Sequence, residues 1–165
     1  MCRVENMNKD YIASEYRRLH EAKKFSGGCL GKHIPEIKEL IKQYDCKTVL
    51  DYGCGKASAH HKNKLTDDVT LYDPYYEPYS KEPEGTFDLV ICTDVMEHVP
   101  EDEVGKTLAR LINLTDKVLF LAICTKPAIK TFSDGTNVHL TVKPKEWWDE
   151  MLDTHKDIII VGHYS

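Results

Sequence analysis

A chain of 165 residues, 41% hydrophobic and 30% charged, is long enough for one domain with a core and too short for a nucleotide module plus a separate substrate domain. Its net charge of -5 speaks against a dedicated duplex-binding protein, although residues 1–34 hold seven Lys or Arg against four Asp or Glu. That basic stretch reads as a solvated helix face or as a face toward a phosphate-bearing substrate. The six cysteines, at 2, 29, 46, 54, 92 and 124, form no Cys-x-x-Cys pair and read as reduced, mostly buried thiols. With no signal peptide and no apolar run of membrane-spanning length, the expected location is the cytoplasm.

The first periodic segment is residues 10–24. Tyr11, Ile12, Tyr16 and Leu19 share one face, with Arg17, Arg18, Lys23 and Lys24 elsewhere, as in an amphipathic helix. Gly27, Gly28 and Gly31 stop it, in a stretch that is either a linker or a backbone closing over a ligand. Pro35 opens a second helix, in which Ile34, Ile37, Leu40, Ile41 and Tyr44 follow the helical period. Thr48-Val49-Leu50-Asp51 is a buried strand that breaks into a tight turn at Tyr52-Gly53-Cys54-Gly55. The glycines would let a ligand approach the backbone, and the unpaired N–H groups of the helix that follows would face an anion. His60-His61 is the only histidine cluster, and adjacent helical residues point about 100° apart, so no metal site is expected. Val69-Thr70-Leu71-Tyr72 closes on Asp73, eighteen residues after Gly55, where an open α/β sheet sets an acid against a ribose diol.

Three prolines between Asp73 and Phe87 forbid a regular helix or central strand there. Tyr75 and Tyr76 in that loop either offer aromatic faces to a ligand or pin the loop down. Phe87 to Cys92 is a buried parallel strand, with Thr93-Asp94-Val95-Met96-Glu97-His98 at its carboxyl end. Pro100 and the acids 101–103 start a helix whose buried stripe is Val104, Leu108, Leu111 and Ile112. Another strand spans 117–124, and a long loop to Pro144 follows, of a length uncommon unless functional. A last helix carries Trp147, Trp148, Met151 and Leu152 on one side, and Ile158 to Val161 is the closing strand.

Taken as a set, Asp51-Tyr52-Gly53-Cys54-Gly55, then Asp73, then Phe87 to Val99 resemble the successive motifs of class I S-adenosylmethionine-dependent methyltransferases, from about Thr48 to the C-terminus. The resemblance implies an α/β, Rossmann-like open sheet, mostly parallel, of about five strands with helices on both faces. It is reduced from the seven-stranded family fold, since residues 74–86 cannot hold the family's helix, third strand and adenine-contacting acid. One domain would span residues 1–165, with a helix and glycine-rich lid over 1–34 and a Rossmann-like core over 35–165.

S-adenosylmethionine would then be the cofactor. Its candidate contacts are Asp51, Tyr52, Gly53, Cys54 and Gly55, then Asp73, Pro74 and Tyr75, then Thr93 and Asp94. Among them Asp51, Gly53 and Gly55 would line the methionine half, with backbone N–H groups on its carboxylate. Asp73 would accept both ribose hydroxyls, and Thr93 and Asp94 would lie beneath the sulfonium and adenosine. Glu97, His98 and His139 are the catalytic candidates, with His98 either a base or a packing residue. The methyl acceptor would be a small molecule or nucleotide, with nucleic acid less favoured, no membrane partner, and the oligomeric state open. The alternatives are a module that holds the cofactor without transferring a methyl group and a nicotinamide-dependent oxidoreductase. Ser58, where a third glycine belongs, argues against the latter.

Overall fold

The computed structural model describes residues 8–22, 24–153 and 158–165, so Cys2 and Lys23 lie outside the described residues. The first helix, α1 (Lys9–Glu21), begins where the Asn8 side chain accepts the Asp10 N–H at 2.8 Å. It ends earlier than its charged periodicity predicts, because the chain turns at Ala22 and the Lys24 N–H returns to Leu19 O.

Five strands follow: β1 (Thr48–Tyr52), β2 (Asp68–Tyr72), β3 (Phe87–Thr93), β4 (Thr115–Ile123) and β5 (Ile159–Tyr164). They form one sheet in the order β2-β1-β3-β4-β5, and every pairing is parallel. The remaining helices are α2 (Ile34–Gln43), α3 (Ser58–Lys62), α4 (Glu101–Asn113) and α5 (Lys145–Leu152). This is the Rossmann-like α/β sheet expected, with no antiparallel member.

Strand alternation decides which helix covers which face. Val49, Leu89 and Val118 lie in register across β1, β3 and β4, and with Ile91 and Phe120 they pack on Leu30, Ile34, Ile37 and Leu40. The next row, Leu50, Val90 and Leu119, faces the other way onto Val104, Leu108, Leu111 and Trp148. So α2 and α3 cover one face, and α4 and α5 the other. Trp148 is the fully buried member of its pair, while Trp147 stands edge-on to it and half-buried.

A third, smaller cluster joins Ile12, Tyr16 and Leu19 of α1 to Phe132, Val138 and Leu140 of the loop after β4. Polar contacts reinforce it. The Tyr16 hydroxyl stands 2.9 Å from His98 O and 2.8 Å from Val138 O, and Glu15 Oε2 accepts the Ser133 N–H at 2.7 Å. The Arg18 guanidinium, 2.8 Å from Glu15, holds that carboxyl down to about 2. Among the described residues no helix is long and apolar enough to cross a membrane.

Candidate active site

Strand order reverses between β1 and β3, and open α/β sheets bind ligands beyond the carboxyl ends at such a point. A cavity of about 710 Å³ lies there, roofed by α1, the Phe25 to Gly27 segment and the loop after β4. Every residue singled out above for cofactor contact or catalysis lines it: Asp51 through Gly55 after β1, Asp73 through Tyr75 after β2, Thr93 and Asp94 after β3, then Glu97, His98 and His139. Tyr75 also stacks on Tyr16 with centroids 5.1 Å apart, and Tyr76 on His20 at 5.9 Å. Both tyrosines therefore fasten the proline-rich loop to α1, and Tyr75 presents itself to the cavity as well.

The glycine turn does something other than expected. Gly53 and Gly55 have φ of +83° and +55°, but the space a Cβ would fill holds protein. At Gly53 it would lie 2.2 Å from Val95 Cγ2, and at Gly55 2.9 Å from Gly27 N. The glycines let the Phe25 to Gly28 and Thr93 to Val95 segments close on the turn. Its N–H groups are spent internally: those of Gly53 and Cys54 on Tyr72 O, that of Gly55 on Asp73 Oδ2 at 2.9 Å. Nor does α3 aim unpaired N–H groups at an anion. It has five residues, and its first donors, Ser58 and Ala59, bond Ser26 O and Gly27 O. The two glycine-rich segments satisfy each other, so the turn is a joint in the protein and leaves no set of donors for a carboxylate.

What the strand ends do offer is carboxyl groups. Asp51 is buried with Oδ2 2.7 Å from His60 Nε2, and burial pushes its carboxyl up against the pull of His60. Asp73 is buried, accepting one backbone N–H on each oxygen, from Gly55 and Tyr75, with His20 Nε2 3.5 Å away. A carboxylate has about four acceptor positions, so both oxygens retain capacity. Asp94 has φ +52°, a left-handed conformation that Asp tolerates better than most residues, and its N–H is held by Ala122 O.

Glu97 and His98 sit in the 3-10 turn after β3, and His139 on the loop after β4. Burial pushes Glu97 up to about 8, with the Asp94 charge adding to it. Burial and the neighbouring His139 bring His98 down to about 4. A neutral imidazole with so low a pKa is a weak proton acceptor near pH 7, which counts against the base role considered for His98.

A family model described as a methyltransferase domain matches residues 9–156. The chain belongs to the methyltransferase domain family. No curated protein and no solved structure matches it. For a methyltransferase domain of this class the donor is generally S-adenosylmethionine, and the residues present suit such a group. The cavity has the size of a small-molecule site, and three aspartates at the strand ends face it, complementary to a donor carrying sulfonium and ammonium charges.

Two residues that brace acids of this cavity escape sequence reasoning. His60, nine residues after Asp51, is legible in the sequence only as half of the His60-His61 pair, and His20 comes from α1, far from Asp73 in the chain. One pH effect follows from Glu97 and His98. Between pH 4.5 and 6.5, unfolded Glu97 loses a proton that the folded chain keeps, while unfolded His98 keeps one that the folded chain has lost, so the two nearly cancel. From pH 6.5 to 8 Glu97 is the one of the two that acts, and its contribution to stability falls by about 2 kcal/mol. Denaturant unfolding in the presence of a chelator should show this decline, and Glu97→Gln should flatten it.

Proposed function

We propose that this chain is an S-adenosylmethionine-dependent methyltransferase acting on a small-molecule or nucleotide acceptor. The observation that carries the reading is the single cavity at the sheet's reversal point, into which the ends of β1, β2 and β3 each deliver an acid: Asp51, Asp73 and Asp94. The donor supplies a methyl group already activated on a sulfonium, so the protein's task is alignment and exclusion of water. Asp73 would take the ribose hydroxyls on its remaining acceptor positions. Asp94 and Thr93 would lie along the sulfonium. With the N–H groups of the glycine turn spent, the methionine carboxylate falls to the cavity's lysines, Lys32 and Lys130 among them.

The roof supports a small acceptor. Tyr16 and His20 of α1 and His139 of the opposite loop leave a volume of about 710 Å³ for donor and acceptor together. Calorimetry with S-adenosylhomocysteine, followed by a search for its formation from the donor across nucleotides, phenols and amines, tests the reading. Saturable heat and product with one acceptor class is the expected result. Heat without product from any acceptor points to a binding module, and no heat with either form of the donor removes the proposal.

A further inference from the structure

We propose that Glu97, His98 and His139 form a site for one divalent transition-metal ion in the wall of the cavity. One ligand atom from each of the three lies within 4.8 Å of the others. Glu97 is fully buried, and its Oε1 accepts the Cys124 N–H at 3.0 Å. Its Oε2 has no hydrogen-bond partner among the described residues, although buried polar atoms almost always find one.

Backbone carbonyls fix the tautomer of both histidines. Val138 O stands 2.9 Å from His98 Nδ1, and Lys126 O stands 2.6 Å from His139 Nδ1. A carbonyl only accepts, so each Nδ1 carries the hydrogen and each Nε2 keeps its lone pair. An imidazole whose far nitrogen donates to a backbone carbonyl has its tautomer and ring direction set for metal ligation. The two rings stand at 88° to each other with centroids 4.8 Å apart.

Two imidazole nitrogens with one carboxylate suit Mn²⁺, Fe²⁺, Co²⁺ or Zn²⁺ better than Mg²⁺ or Ca²⁺, which prefer all-oxygen shells. Around a tetrahedral ion neighbouring ligand atoms stand about 3.4 Å apart, so binding would draw the trio in by up to roughly 1.4 Å. His139, half-buried on its loop, is the member placed to move. Three protein ligands leave at least one position open toward the cavity that all of them line.

That open position suits an acceptor bound through oxygen, a refinement that rests on the methyl-transfer reading, whereas the ion site does not. Coordination lowers the hydroxyl pKa, and its proton passes to solvent. The oxygen then forms a bond to the methyl carbon as the S–C bond breaks, its electron pair remaining on sulfur. This would remove the need for a protein base.

The test is titration of the full chain, stripped with chelator and free of donor, with Co²⁺, read by visible absorption and calorimetry. One Co²⁺ per chain, displaced by Zn²⁺ but not by Mg²⁺, is expected. Glu97→Gln and His139→Ala should each weaken binding about 30-fold while melting as folded proteins. The proposal is overturned by no stoichiometric binding at millimolar Co²⁺, or by unchanged affinity in both variants. It is overturned equally if His33→Ala abolishes binding, which would move the ion to the other trio, His33, Glu36 and His163. S-adenosylhomocysteine calorimetry on the same stripped samples reports on the methyl-transfer reading separately.

Discussion

Replacing Asp73 with asparagine should weaken S-adenosylhomocysteine binding about 100-fold, or about 2.8 kcal/mol. The side chain is buried, and its two oxygens each take a backbone N–H at 2.9 Å, one from Gly55 in the turn after β1 and one from Tyr75 in its own loop. An amide has a single oxygen, so its NH₂ must confront one of those donors, and the turn or the loop shifts. The hydroxyls of a bound nucleoside lose a charged acceptor at the same time. Hydrogen bonds to charged groups contribute about 1.5–3 kcal/mol each, so losing one of them accounts for most of the expected change. Asp68→Asn, at the exposed start of the same strand, is the control and should leave affinity unchanged. Wild-type affinity in Asp73→Asn would confine Asp73 to bracing the turn and take the ribose contact out of the reading.

The double duty of Asp73 also separates what was legible in the chain from what was not. Its position followed from a β-branched run ending in an acid, and the five strands followed from apolar segments too short and too well bounded to be helices. Their order around the reversal point then delivered the predicted residues to one cavity. What failed was the partner of each group. Gly53 and Gly55 read as ligand-approach glycines because a sequence shows that a Cβ is missing without showing what occupies its place, here Val95 and Gly27. The donors of α3 read as an anion site because Ser26 and Gly27, which bond them, lie some thirty residues earlier in the chain. Glu97, His98 and His139 were legible one by one as catalytic candidates, and only their closeness to one another was not, for the same reason. His139 reaches His98 only because the loop after β4 folds back under α1, where Tyr16 bonds Val138 O. Periodicity reports faces of elements, and contacts between loops carry no period.

Those loop contacts make Gly27 the most vulnerable point of the roof, and Gly27→Ala should open it. Gly27 has φ +72°, and an added Cβ would fall 2.0 Å from Cys54 O and 2.9 Å from Ala57 N. Both are backbone atoms of the turn, so no side-chain rotation relieves the clash. The left-handed conformation alone costs alanine roughly 1–2 kcal/mol. Moving the segment away also breaks the bonds from the Ser58 and Ala59 N–H groups to Ser26 O and Gly27 O, about 1 kcal/mol apiece. Neither core cluster on the two faces of the sheet contains a residue of this segment, so the energy is released locally by detachment and the core stays folded. Trypsin should then cut after Lys24 at least tenfold faster than in the parent chain, with only a modest fall in melting temperature, while affinity for S-adenosylhomocysteine drops with the loss of the roof. Gly31→Ala supplies the comparison, since its added Cβ meets nothing within 4 Å and should change neither reading. If Gly27→Ala resists trypsin and binds as the parent does, the Phe25 to Gly28 segment is not what closes the cavity, and the enclosure must come from α1 and the loop after β4 alone.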